Sequence, residues 1–320
     1  MNKKINKKIS ILFKITIAVL AYGFIVYHLK NYRLSDFIVD DIFSVNKIFL
    51  LTFCIVLMPV NWLIETVKWQ FLIRNIEKIQ FKSAFIAVLT GVSFAIFTPN
   101  RIGELGGRIF VLNRRNRVKG VMATAAGSLS QLFVTLFFGL ISGLFLLLLF
   151  PQRIANINGN YLILTEIIVV ISVILVSFLF FNLKKVVKIA LRIKFMKKIS
   201  NSLNILSDYS IFDLLKLLLF SSGRYFVFLF QFYLLLLFFN IEISLLQAFM
   251  TISLTYLLNS VIPSFTLSEI GVRGSAAMFF IGMFSENSPG ILSASVLLWI
   301  INLAIPAFAG SILFYRTKIY

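Results

Sequence analysis

Apolar residues run through this chain in long uninterrupted stretches, with polar residues gathered in short clusters between them. The runs Ile11–Leu29, Ile48–Ile73, Val121–Phe150, Leu162–Phe181, Leu214–Phe239 and Ile291–Tyr315 approach or exceed the ~20 residues that a helix needs to cross a bilayer. Two more, Ser83–Leu112 and Ile243–Phe284, are interrupted, the first at Pro99 and Gly103, the second at Pro263 and Gly271. In lipid the backbone must satisfy its own polar groups, and helices do this within one segment. The pattern predicts an all-α polytopic integral membrane protein. It has about six full transmembrane helices plus two re-entrant or broken helix pairs, in a single membrane domain over residues 1–320. The first run is too long for a signal-peptide core and no small-x-small cleavage site follows it, so it reads as an uncleaved helix.

Composition excludes the alternatives. Of the 320 residues 59% are hydrophobic and 13% charged, against roughly 45–50% and 25% in soluble domains. One Cys and one His leave no intrachain disulfide and no multi-His metal site, so no cofactor is expected. His28, at the outer end of the first run, has no evident catalytic partner.

The formal charge of +19 would suggest nucleic acid in a soluble protein. Here it reports topology instead. Twenty of the 31 basic residues fall in five segments: the N-terminus, Arg74–Lys82, Asn113–Gly120, Asn182–Tyr209 and the C-terminal tail. The opposite segments carry only Lys30, Arg33, Lys47 and Arg153, with Asp36, Asp40, Asp41, Glu242 and Glu286. Cytoplasmic loops collect Lys and Arg, which places both termini in the cytoplasm. Ser83–Leu112 is basic on both flanks, so it must enter and return. By the same logic Ile243–Phe284 leaves and returns on the outer side. The stretch 184–206 reads either as a basic amphipathic connector on the inner leaflet or as an ordinary positive-inside loop.

The two interruptions share a sequence. Glu104-Leu105-Gly106-Gly107-Arg108 follows Pro99, and Glu269-Ile270-Gly271-Val272-Arg273 follows Pro263. The offset from Glu104 to Glu269 is 165 residues (269 minus 104). The same shift overlays Ile48–Ile73 on Leu214–Phe239 and Val121–Phe150 on Ile291–Tyr315. Matched spans run in opposite directions by the charge count. The chain therefore reads as two inverted repeats, over about 1–150 and 160–320, a plan that recurs in secondary transporters with the site at the paired broken helices.

Seven basic residues belong to no loop: Lys14, Lys68, Arg101, Arg108, Lys216, Arg224 and Arg273. Lys14, Lys68 and Lys216 lie near cytoplasmic helix ends and are expected to snorkel. Glu65 is one turn from Lys68 and pairs with it on this reading. Trp62, Trp69 and Trp299 read as interfacial side chains, and Gly139 and Gly143 as close helix packing. Arg224 lies mid-span, where an unpaired charge costs ~2.5–3.5 kcal/mol on insertion scales. The expected substrate-binding set is Arg101, Glu104, Arg108, Arg224, Glu269 and Arg273, with Pro99, Gly103, Gly106, Pro263 and Gly271 breaking the helices. In each motif Glu and Arg stand at i, i+4 and can pair on one face. The functional reading is a cavity for an anionic headgroup. The structural alternative is an ion-pair latch between the halves.

Phe97-Thr98-Pro99-Asn100-Arg101-Ile102-Gly103-Glu104, with Ile270-Gly271-Val272-Arg273 in the second half, resembles the lysylphosphatidylglycerol synthase transmembrane-region family, which includes the flippase half of the multiple peptide resistance factor. The resemblance covers almost the whole chain. Family members often carry Gly-Gly before Leu-Gly-Val-Arg and a Glu after the Arg; here Ser268-Glu269 and Gly274 stand at those places. The resemblance implies lipid handling. In two-domain relatives the membrane half moves an aminoacylated phospholipid between leaflets, and other members are linked to polyprenyl-linked sugars. No soluble aminoacyl-transferase domain follows Tyr320, so the expectation is that this chain does not synthesise the lipid.

Four functions compete at this stage. The leading one is a lipid translocator that binds an anionic or zwitterionic headgroup, of a phospholipid or a polyprenyl-linked lipid, in a cavity between the halves. A membrane-embedded enzyme would need a nucleophile, base or metal site, and no such constellation is visible. A non-transporting partner of a cell-envelope synthesis enzyme and a small-solute transporter remain, since fold does not fix function.

Overall fold

The computed structural model describes residues 19, 22–27, 29–30, 32, 44–96, 98, 101–153, 159–182, 185, 209–263 and 266–316. Most of the first run, His28, Pro99, nearly all of the connector 184–206 and the last four residues lie outside the described residues. The described residues are helical almost throughout and contain no strand. Five helical stretches are long and apolar enough to cross a membrane.

The helices are α1 (Val45–Ile73), α2 (Phe81–Ile96), α3 (Gly103–Arg108), α4 (Arg117–Leu149), α5 (Gly159–Phe181), α6 (Ile211–Phe238), α7 (Leu245–Val261), α8 (Thr266–Ile281), α9 (Ser288–Trp299) and α10 (Ile305–Arg316). A π-helical stretch, Ile300–Ala304, joins the last two. The last apolar run, continuous in sequence, is thus interrupted in structure. Shifted by 165 residues, the bounds of α1 fall on 210–238, close to α6, and those of α2 on 246–261, close to α7.

Local chemistry sets the boundaries. Ser210 and Asp213 form a reciprocal capping box at the start of α6, and Ser244 and Gln247 do the same for α7. Asn287 accepts from the Gly290 amide at 2.9 Å and opens α9. Ile262 ends α7 in an extended conformation (ψ 116°), as a residue before proline must. At the other break the Thr98 hydroxyl accepts from the Gly103 amide at 2.7 Å. Arg101 closes this turn in the left-handed region (φ 58°), uncommon for a residue with a side chain.

Small residues let the broken segments double back. A Cβ on Gly107 would lie 2.7 Å from the Gly91 Cα, and one on Gly103 would overlap the Phe94 carbonyl. So α3 returns along the last turns of α2. Gly106 meets nothing within 4 Å. The expectation that Gly106 and Gly271 break helices is corrected: both lie inside helices, α3 and α8. Gly271 instead lets the Tyr22 ring approach, at 3.2 Å from where a Cβ would stand.

Helix contacts fix directions. Cys54 and Gln231, Glu65 and Arg224, and Arg74 and Asp213 meet across α1 and α6, so these two helices are antiparallel. Leu257 against Gly139 and Leu254 against Gly143 align α7 antiparallel to α4, supporting the close packing expected of Gly139. Ser93 donates to the Ala307 carbonyl at 2.6 Å, and Gly310 abuts Leu89, so α10 runs antiparallel to α2. α5 packs through Phe180 on Phe133, with ring centroids 4.6 Å apart, and exposes Ile167, Ile171 and Ile174. An exposed apolar face of this kind suits lipid.

A charged cavity between the spans

Of the expected snorkelling residues, Lys216 is exposed and lies over the Phe71 ring. Lys68 is not: only 1% of it is accessible. The expectation fails because Lys68 has a closer partner than the interface. Its ammonium lies 2.9 Å from Glu65 and donates to the Gly127 carbonyl at 3.3 Å. Trp62 and Trp69 are buried as well, correcting their interfacial reading. The Trp69 indole donates to Thr124 at 3.0 Å, and the Trp62 ring lies under the Arg224 guanidinium.

Glu65 is the hub of the site. One carboxylate oxygen accepts from Arg108 at 2.7 Å; the other accepts from Arg224 and pairs with Lys68. Arg224 also donates to the Asn61 carbonyl oxygen at 2.8 Å. Its ion-pair partner is thus α1, not a glutamate of a broken segment. The pairing expected within each motif is present: Arg108 binds Glu104, and Arg273 binds Glu269 at 2.5 Å. The motifs differ in depth. The Arg108 side chain is 3% accessible and that of Arg273 26%.

These groups surround a cavity of about 470 Å³. Arg101, Glu104, Arg224, Glu269 and Arg273 line it, from both halves of the chain, joined by Glu65 and Lys68. Arg108 lies behind the wall, held by Glu65 and Glu104. Pro263 lies on the rim at the second break. The remaining wall is partly amide and aromatic, including Gln131, Tyr225, Tyr256, Asn259 and Asn302. Asn302 belongs to the π-helical stretch, an irregularity frequent at functional sites. Among the described residues no group of His, Cys, Asp and Glu is arranged to hold a metal.

The sequence reading missed Glu65 and Lys68 as members of the site. A signal was available. Asn61, Trp62, Glu65, Thr66, Lys68, Trp69 and Leu72 recur at helical spacing and form the buried face of α1. A polar stripe on one face of an apolar span marks a cavity or a partner, not lipid.

Comparison with curated proteins gives no match. Residues 11–310 match the family described as Lysylphosphatidylglycerol synthase TM region, and with nearly its whole length covered this multi-pass membrane chain belongs to that family.

Proposed function

We propose that the protein is a lipid translocator of the cytoplasmic membrane, in which the charged cavity takes up a lipid headgroup while the acyl chains stay in the bilayer. Family membership supports a lipid-related role. The observation that carries the finer reading is the concentration of seven ionisable side chains around one cavity in the midst of apolar spans. Charges at that depth are costly and mark substrate pathways or paired networks. A latch alone would need no cavity of this size.

We read the halves as inverted repeats. The antiparallel α1–α6 pair and the matched contacts support this: Ser93 with Ala307 and Leu89 with Gly310 in one place, Leu257 with Gly139 and Leu254 with Gly143 in the other. Alternating exposure of the cavity to the two leaflets would carry the headgroup across, with the ligand shifting the equilibrium only by its differential affinity for the two states.

The test is transbilayer movement of labelled phosphatidylglycerol in proteoliposomes. The double variant Arg224→Gln, Arg273→Gln should slow transport about tenfold or more, the equivalent of ~1.4 kcal/mol in transition-state stabilisation. Equal rates for variant and parent, at equal reconstitution, would remove the cavity from the transport path.

A further inference from the structure

Resting on the reading of the cavity as a headgroup site, we propose that it selects lipids whose phosphate headgroup is net negative and rejects aminoacylated lipids whose headgroup is net positive, with Arg101 as the selecting residue.

Three carboxylates line the cavity, and each is held by an arginine. Glu65 has Arg108 and Arg224 as well as Lys68; Glu104 has Arg108; Glu269 has Arg273. A ligand ammonium would therefore find no carboxylate free to receive it. The cations are in surplus. Lys68, Arg101, Arg224 and Arg273 line the cavity and Arg108 backs it, five against three. The surplus of two positive charges sits in a low-dielectric site, where an anion is favoured and a further cation is opposed.

Arg101 is the distinct member. Among the described residues it alone of the five cations forms no salt bridge, and its buried Nε, like those of Arg108 and Arg273, has no hydrogen-bond partner. It lines the same cavity as Glu104 and Glu269, one from each broken segment. The turn that holds it in the left-handed region is closed by its own amide donating to the Thr98 carbonyl at 3.2 Å. Backbone strain of this kind persists where the surroundings impose it. A guanidinium that no carboxylate holds is available to pair with a phosphate.

Two lipid classes supply the shared chemistry, a glycerophospholipid and a polyprenyl phosphate. The experiment is native mass spectrometry of the full chain after equilibration with equimolar phosphatidylglycerol, phosphatidylethanolamine, lysylphosphatidylglycerol and undecaprenyl phosphate. One or both anionic lipids should be retained about tenfold over lysylphosphatidylglycerol, and which of them is retained identifies the source. Arg101→Gln should cut that preference several-fold and Arg101→Lys, which restores the charge, should recover part of it. Arg114→Gln with Arg115→Gln, on an exposed loop, should leave it unchanged. Retention of lysylphosphatidylglycerol equal to or above that of the anionic lipids overturns the selectivity and leaves the headgroup site standing. Retention of no lipid overturns the headgroup site and the selectivity with it.

Discussion

Replacing Glu65 by Gln removes one negative charge from a pocket that holds Lys68, Arg108 and Arg224. Arg108 keeps Glu104 as a counter-ion, but Arg224 keeps only the Asn61 side chain and Lys68 only the Gly127 carbonyl. Stranding a buried charge by deleting its partner costs about 3–5 kcal/mol. The amide retains one acceptor oxygen, and a hydrogen bond to a charged group is worth ~1.5–3 kcal/mol. Lys68 borders the cavity and can take up water, so Arg224 dominates and the net loss is about 1–3 kcal/mol. Lys68→Met works in the opposite sense. The five groups Lys68, Arg108, Arg224, Glu65 and Glu104 carry a net charge of +1, which this change neutralises while leaving Glu65 with two arginines. It should cost under about 1 kcal/mol, since a well-packed apolar replacement at a buried charge is often neutral. In the double variant the charge returns to +1, and a coupling of about 1–3 kcal/mol should reappear as partial recovery. The single cysteine supplies the assay: Cys54 is fully buried between α1 and α6, so a thiol-reactive fluorogenic dye reports unfolding. Glu65→Gln should melt about 2–6 °C below the parent, at roughly 2 °C per kcal/mol for a chain of this size. The hub assignment fails if Glu65→Gln melts with the parent, or if Lys68→Met is the more damaging change.

Three other measurements probe the frame. Gly107→Ala should lower the same melting temperature by the equivalent of about 1–3 kcal/mol, because its methyl would press on Gly91, whereas Gly106→Ala has open space and should stay within about 0.5 kcal/mol; equal effects would refute the α2–α3 packing. Trp69→Phe removes the hydrogen bond to Thr124 and should cost about 1 kcal/mol in that melt, with no change refuting the bond. In a Cys54→Ala background, cysteines placed at Lys78 and Arg115 should react from the cytoplasmic side, and those at Arg153 and Glu242 from the other; labelling of all four from one side would overturn the charge-based topology.

Much of the architecture was legible because lipid imposes a simple code. Apolar runs near bilayer length and Pro–Gly interruptions anticipated α1, α4 and α6 and the breaks in the two interrupted segments. The Glu-to-Arg spacing of four anticipated the pairing within each motif, since it follows from helix geometry alone. The partners across helices were not legible. Glu65 and Lys68 were assigned to each other because one turn is a distance that sequence can measure; Arg108 and Arg224, 43 and 159 residues from Glu65, are brought to it only by packing. The π-helical stretch at Ile300–Ala304 had a sign that went unread, Pro306, which has no N–H to donate to the Asn302 carbonyl and so disturbs the helical ladder there. Gly106 and Gly271 misled for a different reason. A glycine inside an apolar segment signals close approach as readily as a break, and only the neighbour decides which.

The two motifs have one sequence pattern and unequal surroundings, and the difference traces to the long helices beside them. Shifted by 165 residues, Glu65 corresponds to Phe230 and Lys68 to Tyr233. Among the described residues the second half therefore shows no hub, and Arg273 has Glu269 as its ion-pair partner and several times the accessibility of Arg108. On the proposed inverted-repeat reading, the backbone plan repeats while the charge does not. In an alternating-access cycle of the kind proposed, a headgroup would meet the cation surplus more strongly in one state than in the other, and that difference in affinity is what a ligand uses to shift a conformational equilibrium. It sets which state holds the headgroup longer. It does not set net direction, because without an energy input the forward and reverse cycles must balance at equal lipid concentrations in the two leaflets. Removing Glu65 from the first half should thus change the rate of exchange without creating a lipid gradient.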